Sequence, residues 1–212
     1  MKTILCYGDS LTWGYNPDGP ARHDAADRWP NVLQAALGSN VAVMAEGLNG
    51  RTTAFDDHLA PAERNGARLL PTILTTHSPL DLVIVFLGAN DMKPWVAGRA
   101  IASKQGMQRI VDIIRTHTYP LAANAPDILI VAPPPLTDTG DPDFAAMFEG
   151  GIEQSQMLAS LYADLADQAG CGFFDASSVA RASPLDGVHL DADNTRAIGR
   201  GLEPIVRVML GL

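Results

Sequence analysis

Cysteine, basic charge and long apolar runs are all scarce in this chain, and each scarcity removes a class of function. Two cysteines in 212 residues cannot supply a disulfide framework or a thiolate metal cluster. Cys6 and Cys171 each stand in an apolar stretch that reads as a strand, so two buried free thiols are expected. Lysine and arginine number 15 against 24 aspartates and glutamates, a formal charge of −9. A phosphate backbone or an anionic membrane surface is repelled by that balance, so neither nucleic acid nor membrane is an expected partner. No apolar run approaches the roughly 20 residues of a membrane span. Met1-Lys2 precedes only a few apolar residues before Gly8-Asp9-Ser10, too short a core for an export signal, and cytoplasmic residence is the default expectation. Metal-ligand spacing, a phosphate-cradling glycine loop and a dinucleotide fingerprint are also missing, so no metal and no cofactor is expected.

What remains is ordinary for a globular domain: 47% hydrophobic and 18% charged residues, enough for one core, read as a single domain over 1–212. Short apolar runs alternate with longer amphipathic ones. Thr3–Tyr7, Val41–Met44, Leu82–Leu87, Ile128–Val131 and Gly172–Phe174 read as strands buried on both faces. Helices are predicted over Trp29–Leu37, Ala62–His77, Ala100–His117, Ile152–Ala169 and Asp191–Leu210, the last with Ile198, Leu202, Ile205 and Met209 on one face. Alternation of this kind predicts a three-layer α/β domain on a parallel sheet. Three connections, Tyr15–Arg28, Asp56–Asn65 and Pro133–Gly151, are longer than packing needs, which marks them as functional or interfacial.

In such sheets ligands bind beyond the carboxyl ends of the strands. Those positions hold Gly8-Asp9-Ser10-Leu11, Glu46-Gly47-Leu48-Asn49-Gly50-Arg51, Gly88-Ala89-Asn90-Asp91 and Asp186-Gly187-Val188-His189. Each block alone is turn chemistry. Together they contain everything acyl transfer needs: Ser10 as nucleophile, His189 as base and Asp186 to orient it. The Ser10 and Gly50 N–H groups with the Asn90 amide can serve as oxyanion donors. His23 and His58 read as solvated, and His77 and His117 as helix-end residues. Asp9 is expected to satisfy amides of the Ser10 turn and Asp91 to brace the Asn90 loop, with Arg51 ion-paired to one of them. Trp13, three residues after Ser10, Trp95 and Phe148 are candidate pocket walls, and the 133–151 segment a candidate cover.

The four blocks resemble those of the SGNH hydrolases, also called GDSL esterases, over nearly the whole chain. Ser10, Gly50, Asn90 and His189 match that family's four signature residues, and Asp186 its triad acid. The resemblance implies a flavodoxin-like α/β/α sandwich with a five-stranded parallel sheet. The Gly-x-Ser-x-Gly of the ordinary α/β-hydrolase elbow is missing, since Thr12 replaces its second glycine. Gly8-Asp9-Ser10-Leu11-Thr12-Trp13-Gly14, Glu46-Gly47-Leu48, Arg51-Thr52-Thr53 and Phe148-Glu149-Gly150-Gly151 are similar to the arylesterase and acyltransferase branch. Membership there implies a small ester substrate with a short acyl group, transfer to alcohols or peroxide, and a homo-octamer. The branch's transferase pattern has alanine where Gly50 stands, which favours hydrolysis here. The alternatives are a carbohydrate deacetylase, a silent binding domain of the same fold, and a flavodoxin-like mononucleotide binder. The last is disfavoured by the aspartate in the first loop.

Overall fold

A computed structural model describes residues 1–19, 21–120 and 123–212. The chain opens with β1 (Lys2–Gly8), a short helix α1 (Ser10–Trp13) and a two-stranded hairpin, β2 (Tyr15–Asn16) and β3 (Ala21–Arg22). Then follow α2 (Trp29–Leu37), β4 (Val41–Gly47), α3 (Gly66–His77), β5 (Leu82–Phe86), α4 (Ala100–Thr116) and β6 (Asp127–Ala132). The last third holds α5 (Pro142–Met147), α6 (Gly151–Ser155), α7 (Leu158–Ala169), β7 (Gly172–Asp175) and α8 (Ala192–Leu210). Five strands form one parallel sheet in the order β4-β1-β5-β6-β7, the flavodoxin-like winding. The predicted five-stranded α/β sandwich is the fold observed.

Period-two alternation along the strands divides the core into two layers. Leu5, Tyr7, Val83, Val85, Ile128 and Ile130 face α3, α4 and α7 through Leu70, Leu74, Ile110, Ile114, Leu158 and Leu165. Ile4, Cys6, Leu82, Ile84, Phe86, Leu129 and Val131 face α2 and α8 through Trp29, Leu33, Ile198, Leu202 and Val206. Both layers being apolar explains why the strands read as continuous hydrophobic runs. Gly8 stands level with Gly47 on one side and Phe86 on the other. The loops after β1, β4 and β5 therefore leave the sheet side by side. Gly47 is tightly held: a Cβ there would lie 2.3 Å from the Trp13 backbone nitrogen, so only glycine lets α1 cross the end of β4.

Several boundaries differ from the sequence reading. The helix expected from Ala62 starts at Gly66, because the Asn65 side chain accepts from the Arg68 N–H and caps it there. The single helix expected over Ile152–Ala169 is two, α6 and α7. At the break the Ser155 hydroxyl donates to the Ile152 carbonyl at 2.7 Å and accepts from the Leu136 N–H at 2.9 Å. Met157, at this break, is exposed. Inside the long 133–151 connection Asp141 caps α5, with Pro142 in its first turn. Cys6 is buried as expected, but Cys171 lies just before β7 and is half-buried.

Candidate active site

The serine is presented by a helix of only four residues, α1. Asp9, its N-cap, accepts from the Leu11 N–H at 2.9 Å, and Gly14, in the left-handed conformation at φ 89°, ends the turn. Ser10 is thereby fixed at the carboxyl end of β1. At the far end of the chain, the loop before α8 is tied down by three backbone bonds. Ser183 N–H donates to the His189 carbonyl, Gly187 N–H to Ser183, and Thr137 N–H to Gly187. Gly187 takes φ 76°, and a Cβ there would lie 2.4 Å from the Thr137 carbonyl oxygen.

These two supports bring three side chains into line. His189 Nε2 lies 2.9 Å from Ser10 Oγ, and His189 Nδ1 lies 2.6 Å from Asp186 Oδ2. The other Asp186 oxygen accepts from the Val188 and His189 N–H groups. A carboxylate only accepts, so it holds the imidazole proton on Nδ1 and leaves Nε2 free to receive the serine proton. Burial raises the Asp186 pKa, yet the hydrogen bond and charge of His189 outweigh it and the carboxyl sits below its ordinary value. The ring of Tyr15 stacks on His189 at 4.1 Å, and Phe144 meets it edge-on at 5.8 Å. Together they leave the imidazole little rotational freedom.

Ser10, Gly50, Asn90 and His189 line a single cavity of about 140 Å³. Asn49, Tyr15, Lys93, Phe144, Met147, Phe148 and Val188 form the rest of its wall. Gly50 adopts φ 82° in a turn closed by Arg51 N–H to the Leu48 carbonyl. Arg51 makes no ion pair with Asp9 or Asp91, contrary to expectation. Its guanidinium donates to the Gly8 and Glu46 carbonyls and lies 4.1 Å above the Tyr7 ring, anchoring the β4 loop to β1. The Asn90 amide donates weakly to Asp9 Oδ2 at 3.3 Å and to the Arg51 carbonyl at 3.2 Å. Behind it, Asp91 accepts from the Thr53 N–H, the Thr53 hydroxyl and Ser103. Among the described residues, neither the Ser10 nor the Gly50 N–H finds a backbone acceptor.

Of the three candidate pocket walls, Phe148 lines the cavity and the two tryptophans do not. The Trp13 ring lies under Arg22, 4.8 Å from its guanidinium. Trp95 is 43% exposed and donates to Asp57 at 3.2 Å. Sequence reasoning missed Tyr15 and Asn49 as cavity residues. It also took His23 for solvated, whereas that ring is buried against the Leu190 carbonyl at 2.8 Å. A larger depression of about 310 Å³ shares Phe144, Phe148 and Val188 with the cavity, but neither Ser10 nor His189 lines it. Among the described residues there is no cluster that could hold a metal ion, and no helix is long and apolar enough to cross a membrane.

Burial raises the Asp9 pKa from 3.8 to about 7, against the Leu11 N–H bond and the Arg51 charge, which lower it. The folded state therefore holds this proton more tightly than the unfolded chain does. The stability Asp9 contributes is complete below pH 3.8 and is lost as pH rises through about 7. Thermal melts of the wild type and Asp9→Asn between pH 5 and 8 should show a shallower decline in the variant. Parallel curves would contradict this origin.

A hydrogen-bonded Ser–His–Asp series at the carboxyl edge of a flavodoxin-like sheet defines a class of α/β/α serine hydrolases. A model of the GDSL-like lipase/acylhydrolase family matches residues 6–198, and the chain belongs to that family. It is an SGNH-type carboxylic ester hydrolase. A carbohydrate acetylesterase family member from Sinorhizobium meliloti is 64% identical, with full coverage of both chains and a TM-score of 0.99. The native aryl esterase of M. smegmatis is 41% identical, covering 99% of this chain and 100% of that one, at a TM-score of 0.94. Est24, a carbohydrate acetylesterase from Sinorhizobium meliloti, is 37% identical with the same coverage and a TM-score of 0.93. A comparison with curated proteins finds no match.

Proposed function

We propose that this chain, as one domain over 1–212, cleaves esters of short acyl groups through an acyl-serine intermediate. The observation that carries the reading is the Ser10–His189–Asp186 series opening into a cavity of about 140 Å³. His189 Nε2 takes the Ser10 proton as Oγ attacks the ester carbon. The carbonyl oxygen, now negative, receives the Ser10 and Gly50 N–H groups and the Asn90 amide. The intermediate collapses, His189 protonates the departing alcohol oxygen, and the serine is left acylated. Water enters by the same route, gives its proton to His189 and releases the acid. Asp186 stays ionised throughout and stabilises the imidazolium.

The acyl length follows from volume. The cavity of about 140 Å³ is small, and the Tyr15, Phe144, Met147 and Phe148 side of its wall suits acetyl better than a long chain. Wild-type kcat/KM for p-nitrophenyl acetate should exceed that for p-nitrophenyl octanoate by about tenfold or more, since a chain longer than the cavity must displace its walls to seat the carbonyl at Ser10. A maximum at octanoyl would contradict the narrow cavity, and no turnover of any ester would overturn the esterase reading.

A second reading, acetyl removal from carbohydrates, is supported by the relatives bearing that description. It uses the same chemistry with a polyol as the leaving alcohol. Acyl transfer to an alcohol or peroxide would replace water in the second half-reaction, and Gly50, where the branch's transferase pattern has alanine, favours hydrolysis. Resemblance to the arylesterase and acyltransferase branch supports a homo-oligomer, and a cytoplasmic location is the default reading. The silent-domain alternative is disfavoured because Ser10, Asn90 and His189 are all retained on one cavity wall.

A further inference from the structure

A second histidine touches the backbone beside the catalytic one. His23 follows β3 and is buried, and its Nε2 lies 2.8 Å from the Leu190 carbonyl oxygen, one residue beyond His189. A carbonyl only accepts, so Nε2 carries a proton and donates. Among the described residues no backbone N–H donates to that carbonyl. Leu190 is buried in the core layer that faces α2 and α8, where an unmatched acceptor is costly. The backbone of His23 serves the opposite side of the site. Its N–H donates to the Gly14 carbonyl at 2.8 Å, at the end of the helix that opens with Ser10. Arg28 Nε donates to the His23 carbonyl at 2.8 Å, and Arg22 Nε to the Trp13 carbonyl at 2.6 Å. One residue thus spans from the helix of the nucleophile to the loop of the base.

The backbone bonds of His189 itself stay within its own loop. Its N–H goes to Asp186 at 2.8 Å, and its carbonyl accepts from the Ser183 N–H at 2.7 Å. Neither sets its distance from Ser10. Among the described residues, only the His23–Leu190 bond and the reacting Ser10–His189 bond join residues 9–28 to residues 183–191. The next ties, Thr195 to Trp29 and Arg196 to Asp27, lie inside α8. We infer that His23 is a positioning residue, which sets the separation of Ser10 Oγ and His189 Nε2 by holding the peptide after the base to the helix of the nucleophile. Tyr15, paired with Arg22 in the same hairpin, stacks on the His189 ring, so the hairpin meets the base at ring and backbone alike. The inference rests on reading Ser10 as nucleophile and His189 as base. A misplacement of about 1 Å can cost about 100-fold in rate. One base serves both half-reactions, so acylation and deacylation slow together: kcat falls and KM holds.

The test compares His23→Gln with His23→Asn on p-nitrophenyl acetate, at a temperature where melting curves show each variant folded. The two carry the same amide and differ in reach: the glutamine nitrogen can stand where Nε2 stands, and the asparagine nitrogen falls short of Leu190. His23→Gln should keep kcat within about threefold of the wild type, and His23→Asn should lower it about tenfold or more with KM within about twofold. Coupling to the base separates positioning from general damage. In a His189→Ala background no base remains to be placed, so His23→Asn should change the residual turnover by less than about twofold. Unfolding or a distorted cavity would lower it there as well. Equal kcat in the glutamine and asparagine variants, or an asparagine loss that recurs undiminished in the His189→Ala background, overturns the role of His23 and leaves the esterase standing. Full activity in His189→Ala alone overturns the assignment of the base, and the inference with it.

Discussion

Ser10→Ala should lower kcat for p-nitrophenyl acetate by about 10⁴-fold or more, with residual turnover from the oxyanion donors and the cavity alone. The fold should survive. The hydroxyl gives up one 2.9 Å hydrogen bond to His189, worth about 1 kcal/mol, a melting shift of about 2–4 °C for a chain of this size. A stronger form of the experiment uses non-additivity. If Ser10 and His189 act as one unit, His189→Ala should cost nearly as much as Ser10→Ala. The double variant should then be little worse than either single one. Independent, multiplying losses would mean that His189 does not act through Ser10. Full activity in Ser10→Ala would place the nucleophile elsewhere.

The parts of this site legible in the sequence are those that a parallel sheet positions automatically. Ser10, Asn49–Gly50 and Asn90 each come shortly after a strand, and register puts Gly8, Gly47 and Phe86 level. A chemistry-bearing residue after one strand must therefore lie near one after its neighbour. Asp186 and His189 are three apart on a single loop, a spacing that a tight turn closes. What was not legible depends on how loops travel. Tyr15 reaches His189 because α1 lasts only four residues before Gly14 turns the chain into the β2–β3 hairpin. Trp13 was placed beside the nucleophile on helical spacing. It instead lies beside Arg22 of β3, where the returning hairpin strand gives it a partner.

Arg51 and His23 show a second limit. Charge pairing is the natural expectation for an arginine near two aspartates, but the Arg51 guanidinium is taken up by the Gly8 and Glu46 carbonyls at the ends of β1 and β4 and by the Tyr7 ring. Likewise His23 is polar and in a loop, and it is buried against the Leu190 carbonyl just beyond His189. The sequence shows which side chains are polar, whereas the demand of orphaned backbone groups appears only once strands and loops are placed. The break between α6 and α7 has the same cause, since Ser155 serves the Leu136 N–H.

That demand makes Asp91 the polar residue whose removal should cost most stability. It is fully buried, and three donors converge on it: the Thr53 N–H at 2.9 Å, the Thr53 hydroxyl at 2.6 Å and Ser103 at 2.6 Å. Ser103 is in turn 2.7 Å from the Tyr162 hydroxyl. The network links α4, α7 and the turn after Gly50 directly behind Asn90. Gly106 makes its compactness possible, since a Cβ there would lie 2.0 Å from Thr53 Oγ1. Burial raises the Asp91 pKa against the Ser103 and Thr53 hydrogen bonds, so removing the carboxyl also relieves a desolvation cost that offsets part of the loss. Asp91→Ala leaves the Thr53 N–H without an acceptor and two hydroxyls to find new ones, at roughly 1–3 kcal/mol for each group left unmatched. A net loss of about 3 kcal/mol corresponds to a melting temperature lower by about 6–12 °C. Asp91→Asn should lose less, because its amide oxygen still serves the Thr53 N–H while the hydroxyls rotate to accept from its NH₂. Melting curves of the two variants decide the matter. Equal and small shifts would mean that the network packs α4 against the sheet without carrying stability of its own. A large loss in alanine alone would identify the Thr53 N–H bond as the contact that holds the Gly50 turn in place beside Asn90.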